Sequence, residues 1–560
     1  MTTFFKYRRA AVFAVLVLAG GLLYFLSSRH YVESPSFSHK SGFYEDEFFL
    51  KISAFNSGKI YYTLDGSVPD ENSLCYTGPI RITDASQNPN HYSNLTNVSA
   101  GFFTELIEQY QTEDTVPGYK VPDFSVDKCT VVRAVAVNSN GDFSDTITAS
   151  YFVEKKASDY GCNIISLVTD PENLFDDEKG IYVTGNTFSD YLEDGEIGHD
   201  WRFWNANYRN RGAEWERPVS VEFFDANGVL QHYQNCGARI HGGVSRGTLP
   251  RSFNLYARMS YDTSDKFDIP LFSSDYLPQR ITLNSGGNQL ITQFPDYMMT
   301  ERVRDLNIST MLFSPYVLFI NGEYWGFYWM SEKYDDKYLE YYYNINPDNA
   351  VMIKNDEIEI GEEEDIALYN DMRAFVIEND MSLDENYNTA CELIDIDSFI
   401  DYYATMIYIS RREDWPGTNF ALWRTREISP SNEYSDGKWR WMLFDCNSTG
   451  MRDDINLTTY NALERVINRD KFFHSLWENE NFRNAFSERL LYIGETCFNV
   501  TDMNVLIDSY IANISPLLEK SWERFYGKEN DKYTVFTDMM ESHRAFFNGR
   551  YEVVQKWFEQ

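Results

Sequence analysis

The pattern of apolar and polar positions divides the chain into an alternating first part and a helical last part. Between residues 35 and 153, short runs alternate or stay apolar, and turn dipeptides such as Asp65-Gly66 and Asn140-Gly141 separate them. Such runs predict β-strands. The predicted strands are Phe48–Phe55, Lys59–Leu64, Gly78–Thr83, Cys129–Val137 and Thr146–Phe152. We therefore predict an all-β sandwich over 35–153 that folds on its own, with residues 84–128 as a long inserted loop.

A second region follows the polar linker Glu154–Tyr160 and mixes strands with a helix. A Gly-rich turn is predicted at Arg239–Ser245, a helix near Asp296–Asp305 and a hairpin turn at Asn321-Gly322. The predicted strands are Ile164–Val168, Val219–Phe224, Arg251–Arg258, Arg280–Leu283, Tyr316–Ile320 and Tyr324–Met330. This order of elements predicts an α+β lobe.

From about residue 456 the period becomes helical. Phe482, Phe486 and Leu490 are spaced by four and form one apolar stripe, and Val505–Leu518 and Ala545–Phe558 show the same pattern. We expect these stripes to pack the core of a helical lobe.

The N-terminus carries a membrane signal. Lys6, Arg8 and Arg9 precede an uncharged run over residues 10–26. This pattern predicts a single-pass signal anchor with a cytoplasmic tip, followed by a linker to residue 34, so the body of the protein would be extracytoplasmic. A cleaved signal peptide is the alternative.

Charge and cysteine content narrow the function classes. The net charge of −36 disfavours nucleic acid as a partner. The seven cysteines contain no C-x-x-C pair, and Cys75 with Cys129 is the disulfide pairing to test. The eight histidines form no zinc-hydrolase spacing.

The stretch from Tyr408 to Met451 concentrates the candidate chemistry. A Trp-rich loop carries Asp414 and Asn419, and the apolar run Trp439–Phe444 reads as a buried strand that ends on Asp445 and Asn447. Two acid and amide pairs beside a buried scaffold suit a divalent cation with a phosphorylated ligand. The spacing of Asp414 and Asn419 also occurs in the catalytic loop of protein kinases.

The alternating region resembles a known accessory module. The blocks that carry the resemblance are Tyr62–Pro69 (YTLDGSVP), Tyr76–Ile80 (YTGPI) and Val132–Ala134 (VRA). They resemble the chitobiase/β-hexosaminidase C-terminal immunoglobulin-like module, which implies extracytoplasmic placement and surface attachment more than catalysis.

Six further blocks resemble one family over about Asn163 to the C-terminus. They are Glu222–Asp225 (EFFD), Arg239–Arg246 (RIHGGVSR), Arg251–Phe253 (RSF), Leu318–Gly326 (LFINGEYWG), Asp414–Asn419 (DWPGTN) and Trp439–Asp445 (WRWMLFD). In this order they resemble the spore coat protein H (CotH) family of atypical protein kinases. The resemblance implies an α+β, atypical protein-kinase-like fold over residues 162–560, with a β-rich lobe and a helical lobe.

The same resemblance implies roles for individual residues. Asp414 would be the catalytic residue that orients the acceptor hydroxyl, and the metal ligands would be Asn419, Asp445 and Asn447. The nucleotide-binding candidates are Arg251, Glu332, Gly242 and Gly243, with Arg246 and Lys333 as further cationic candidates. The implied cofactors are ATP and Mg²⁺ or Mn²⁺.

Two positions depart from the family pattern. Asn447 stands where the family usually has a second Asp, which removes one negative charge from the metal site. Arg251 stands where many relatives have Lys, which is a more compact charge.

Two functions follow as expectations. The first is a membrane-anchored CotH-like kinase that transfers phosphate from ATP to Ser or Thr of a surface or coat protein. The alternative is a catalytically weak or inactive cell-surface or spore-coat protein that binds a partner, such as a cell-wall glycan, or has a structural role.

Overall fold

The computed structural model describes residues 32–55, 58–110, 117–272, 275–412, 415–446 and 457–559. The first region is rich in β-structure, as predicted. Its strands are β1 (Ser36–Phe37), β2 (Gly42–Tyr44), β3 (Phe48–Leu50), β4 (Ile52–Ser53), β5 (Lys59–Thr63), β6 (Leu74–Cys75), β7 (Ile80–Ile82), β8 (Thr130–Val137) and β9 (Ile147–Val153). A five-stranded sheet has the order β2-β9-β8-β5-β6, and β3 pairs with β7 and β1 with β4. Alternate apolar residues of these strands enclose a small core between the layers.

The insertion at residues 84–128 is not a plain loop. It contains short 3-10 helices at Tyr92–Asn94 and Ala100–Phe102 and helix α1 (Thr104–Tyr110). Tyr92 and Val98 are buried in the same core as the next region. The prediction of a long inserted loop missed these short helices and the packing of these apolar side chains against the neighbouring domain. The shared core also argues against independent folding of residues 35–153.

The second region is built on a closed barrel of seven strands. They are β10 (Asn163–Val168), β11 (Arg217–Phe224), β12 (Leu230–Ile240), β13 (Phe253–Tyr256), β14 (Arg280–Asn284), β15 (Phe313–Ile320) and β16 (Glu323–Ser331). The barrel closes where β10 pairs with β15 in parallel. The sequence pattern predicted six of these strands and missed β12, whose run LQHYQNCGARI is too polar for the strand signal.

Three helices lie in the connections between the barrel strands, and a second sheet follows the barrel in the chain. The helices are α2 (Pro171–Phe175), α3 (Gly185–Asp194) and α4 (Pro295–Val303). The sheet strands are β17 (Ala350–Lys354), β18 (Glu357–Ile360), β19 (Ala421–Thr425) and β20 (Arg440–Met442), in the order β18-β17-β19-β20. One face of this sheet packs on Tyr334 and Tyr338 in a separate small core, and the other face joins the main core.

The remaining helices form the helical part. Those before residue 456 are α5 (Asp336–Tyr343), α6 (Ile366–Glu378), α7 (Asp384–Leu393) and α8 (Ile396–Tyr408). Those after it are α9 (Ala462–Arg469), α10 (Lys471–Trp477), α11 (Glu480–Tyr492), α12 (Val500–Tyr526) and α13 (Lys532–Lys556). Phe482, Phe486 and Leu490 are fully buried on α11, which confirms the predicted stripe.

Two sequence expectations concern membranes and disulfides. Within the described residues, no helix is both long and apolar enough to cross a membrane. The predicted anchor at residues 10–26 lies outside them. Cys75 and Cys129, the disulfide pairing to test, are not bonded in the structure, where Cys75 is exposed and Cys129 buried.

Candidate active site

One end of the second sheet brings two predicted metal ligands and a lysine close together. Lys354, the last residue of β17, pairs with Ala421, which in turn pairs with Met442 of β20. Asn419 comes just before this point on one strand, and Asp445 comes just after it on another. Antiparallel register therefore places Lys354, Asn419 and Asp445 at the same end of the sheet.

Tyr334, which follows the last barrel strand, connects the barrel to this end of the second sheet. The Tyr334 hydroxyl is fully enclosed and bonds the backbone carbonyls of Ser309 (2.8 Å) and Leu443 (2.9 Å). Since Lys333 precedes Tyr334, the end of β16 and the end of β20 meet at one cleft between the barrel and the second sheet.

A cationic group forms where the two sides of this cleft meet, with His241 and Lys333 from the barrel side and Lys354 from the second sheet. Burial lowers the pKa of Lys333, and the like charge of Lys354 lowers it further. Burial lowers the pKa of His241 to about 3, with contributions from the positive charges of Lys333, Lys354 and Arg246. His241 is therefore neutral at pH 7. Lys354 Nζ lies 4.2 Å from the ring centroid of Phe444, the neighbour of Asp445.

The Gly-rich turn after β12 lies beside these cations. Gly242 has a φ of +108°, and a Cβ there would come within 2.2 Å of Ser245 Oγ. Only glycine fits this position without strain. Gly243 is exposed, and a Cβ on it would meet nothing within 4 Å. The open space above Gly243 lets a ligand approach the backbone closely, as predicted for a phosphate-binding turn.

An acidic pair occupies the cleft on the side of α4. The backbone N–H of Cys446 donates to Asp296 Oδ1 at 2.7 Å, which fixes Asp296 beside Asp445. Burial, together with the negative charge of Asp445, raises the pKa of Asp296 to about 7. Arg411 partly offsets this effect. From sequence, Asp296 is predicted only as part of a helix. The one local sign of a further role is that this carboxylate directly follows Pro295 at the start of that helix.

The donor set around this pair fits a hard divalent cation. Gln293 and Asp296 line one small cavity of about 10 Å³. Gln293 Oε1 is buried without a hydrogen-bond partner. Two carboxylates and an amide oxygen are ligands that Mg²⁺ accepts, usually with several waters. No set of three His, Cys, Asp or Glu side chains close enough to hold a metal occurs within the described ranges.

Two nucleotide-binding candidates make internal contacts instead. The Arg251 guanidinium is fully buried and donates to the carbonyls of Arg246 (2.6 Å) and Val98, with the Tyr208 ring centroid 3.7 Å away. Glu332 accepts from the N–H of Leu312 (2.9 Å) and from the Tyr342 hydroxyl (2.6 Å). These contacts tie Arg251 and Glu332 into the scaffold, and their roles toward a nucleotide stay predictions.

Only two of the four predicted catalytic and metal-binding residues belong to the part of the chain that the structure describes. Asp414 and Asn447 lie outside the described residues. Asn419 and Asp445 both have left-handed backbone, with φ of 56° and 46°. Asn and Asp tolerate this conformation better than other residues with a side chain, and such residues concentrate at ligand sites.

The fold and the cleft define a two-lobed α+β protein in which a cationic group and an acidic pair meet between the barrel and the second sheet. The sequence profile described as CotH kinase protein matches residues 238–560, which is more than half of the chain. The chain belongs to this family. A second profile, described as Fn3 associated, matches residues 50–151, and the finer resemblance to the chitobiase module is not confirmed. No curated protein gives a match.

Proposed function

We propose that this protein is an atypical protein kinase that transfers the γ-phosphate of ATP to Ser or Thr of a protein, with Mg²⁺ or Mn²⁺. Membership of the CotH kinase family supports the reaction class. The observation that carries the proposal is the meeting of Lys333 and Lys354 with Asp296 and Asp445 in one cleft. Phosphoryl transfer needs cations on the phosphates and carboxylates for the metal, and little else from the protein.

The residues of the cleft have separate roles in this proposal. Lys333 and Lys354 neutralise the phosphate oxygens, and neither makes an ion pair with any described residue. The exposed backbone at Gly242-Gly243 lets a phosphate come close. A bound divalent ion would neutralise the charge that develops on the transferred group.

The metal and the acceptor are assigned to different residues. Asp296, Asp445 and Gln293 would hold the metal, with Asn419 and Asn447 as further oxygen donors. Asp414 would accept the proton of the acceptor hydroxyl while the new O–P bond forms and the bond to the β-phosphate oxygen breaks. The product is then a phosphorylated Ser or Thr and ADP.

Calorimetry of ATP binding, with and without Mg²⁺ or Mn²⁺, tests the cleft directly. We expect Asp296→Asn and Asp445→Asn to weaken metal-dependent binding at least about tenfold, because each removes a charge opposite the cation. Lys354→Gln should weaken binding whether or not metal is present. Asp190→Asn, at an exposed position on α3, is the matched control. Unchanged affinity in all three cleft variants would exclude the cleft as the nucleotide site.

The setting of the reaction is part of the proposal. The run over residues 10–26 would anchor the protein in a membrane with the body outside the cell, where the substrate would be a surface or coat protein. Asn447, in place of the usual second acid, favours the alternative of a catalytically weak surface protein that binds a partner. Asn447→Asp should tighten metal binding by restoring that charge.

A further inference from the structure

A separate cavity of about 480 Å³ lies on the other face of the second sheet. Side chains of a strand alternate between faces, so Phe420 and Leu422 line this cavity while Ala421 packs in the small core on the opposite face. The cavity and the cleft therefore occupy the same end of the sheet, and the loop Trp415–Asn419 separates them. We call this cavity the Trp415 pocket.

The Trp415 pocket has an aromatic and apolar wall. Its volume is in the range of ligand-binding pockets, and such pockets typically combine apolar walls with a few polar groups. The aromatic lining residues are Tyr369, Tyr403, Trp415, Phe420, Trp441 and Phe472.

The polar groups of the pocket are mainly cationic. Arg373, Arg465, Arg469 and Lys471 line it, against two acidic residues, Asp356 and Asp470. In a chain with net charge −36, a local excess of cations needs an explanation.

The two acids are already engaged by tyrosines. Tyr369 donates to Asp356 Oδ1 and Tyr403 donates to Asp470 Oδ2, both at 2.7 Å. These hydrogen bonds come from neutral hydroxyls and leave the charges of both acids in place, so the lining carries four cationic side chains against two acidic ones.

Two of the cations are available to a ligand. Arg465 donates to the backbone carbonyl of Trp415 at 2.9 Å and so stabilises the loop itself. Arg469 and Lys471 are exposed and make no hydrogen bond or ion pair with the described part of the chain. They flank the junction of α9 and α10 at the mouth of the pocket.

We propose that the Trp415 pocket binds an acidic side chain of the protein substrate, next to its acceptor Ser or Thr. This inference rests on the proposed kinase function, because Trp415 directly follows Asp414, the residue assigned to the acceptor hydroxyl. Arg469 and Lys471 pair with the carboxylate, and the aromatic wall packs against its aliphatic stem. The net charge of the chain alone would favour a basic substrate, so the proposal makes the opposite prediction.

Calorimetry with three synthetic peptides tests the pocket. The peptides are identical except that a central Ser is flanked by Glu, Gln or Lys. At about 0.15 M salt, charges beyond about 8 Å are screened, so contacts in the pocket dominate. We expect the Glu peptide to bind at least about tenfold tighter than the Gln peptide, and the Lys peptide to bind weakest. Equal affinities, no binding of the Glu peptide, or a preference for Lys would overturn the proposal.

Variants assign the preference to the pocket. The double substitution Arg469→Gln/Lys471→Gln should abolish the preference for Glu, whereas Lys51→Gln/Lys556→Gln, with the same change in charge at exposed sites elsewhere, should keep it. A preference that survives the first double substitution would contradict the proposal.

Transfer of label from ATP to the peptides is measured separately. Selective binding of the Glu peptide without any transfer would reject the kinase function and leave the pocket assignment standing. Transfer of label without a preference for the Glu peptide would support the kinase function and reject the pocket assignment.

Discussion

At the scale of single residues, two buried glutamates on the barrel make stability depend on pH. Glu222 and Glu332 are each about 1% exposed. Burial raises the pKa of each carboxyl to about 7, against an ordinary value of 4.5. The folded state therefore retains protons that the unfolded chain releases. The resulting stability is fully present below about pH 4.5 and is lost as the pH rises to about 7.

Glu222→Gln should remove part of this dependence, because the amide stays neutral and can still accept from Ser41. Relative to the wild type, the variant should gain on the order of 3 kcal/mol of unfolding free energy between pH 5 and pH 8. Denaturant unfolding at both pH values measures the difference. Glu552→Gln, at an exposed position, is the control. A difference that does not change with pH would show that Glu222 ionises normally.

Only half of the charged residues of the cleft were candidates from the sequence. Asp445 was predictable because it ends an apolar strand in a distinctive motif. Asp296 and Lys354 were not, because each reaches the cleft only through the packing of α4 and of β17 against β20. The family resemblance assigned Arg251 to phosphate, whereas its burial against Val98 depends on a contact with the inserted segment.

At the scale of elements, one capping residue links α11 to the connection between α6 and α7. Asn479 Oδ1 accepts from the N–H groups of Asn481 (2.9 Å) and Phe482 (3.2 Å). Its Nδ2 donates to the carbonyl of Met381 at 3.0 Å. Since Asn479 is about 1% exposed, no water replaces these bonds if the side chain is lost.

Asn479→Ala should therefore lower the free energy of unfolding by about 2–3 kcal/mol, more than a lost cap alone. Asn499 caps α12 through the N–H of Asp502 at 2.9 Å and is only half-buried. Asn499→Ala should cost about 1 kcal/mol. Denaturant unfolding of both variants measures whether Asn479→Ala loses more stability than Asn499→Ala. Equal losses would mean that the burial of Asn479 and its bond to Met381 add nothing.

Elements with a strong local period were predicted well, and the others depended on long-range contacts. The buried stripe of α11 and the hairpin of β15 and β16 followed directly from spacing and turn residues. β12 was missed because its polar side chains are accommodated by pairing with β11 and β13. Closure of the barrel could not be predicted, because it requires β10 to pair with the distant β15.

At the scale of the whole molecule, the β-rich first region and the barrel form one structure. Ser93 donates its backbone N–H to Glu323 at 2.7 Å, and Lys520 of α12 bonds Asp127 at 2.5 Å. Tyr92 stacks on Phe175 of α2, with ring centroids 5.0 Å apart. The insertion thus covers apolar surface of the barrel that would otherwise face water.

A chain that starts at residue 162 should therefore be much less stable than one that starts at residue 32. We expect its thermal unfolding midpoint to fall by at least about 10 °C, or its cooperative transition to disappear, because the exposed core surface loses its cover. Circular dichroism during heating measures this. Equal midpoints for the two chains would show that the shared core contributes little.

The central claim is that the cleft transfers phosphate, and the most direct test is transfer of label from γ-labelled ATP to protein. The chain that starts at residue 32 is incubated with Mg²⁺ or Mn²⁺, and labelled Ser and Thr are mapped on the chain itself and on added candidate substrates. We predict metal-dependent labelling that falls about 100-fold or more in Asp414→Asn, while calorimetry shows unchanged ATP affinity. Wild-type protein that binds ATP but transfers no label, or an Asp414→Asn variant that labels at the wild-type rate, would contradict the claim.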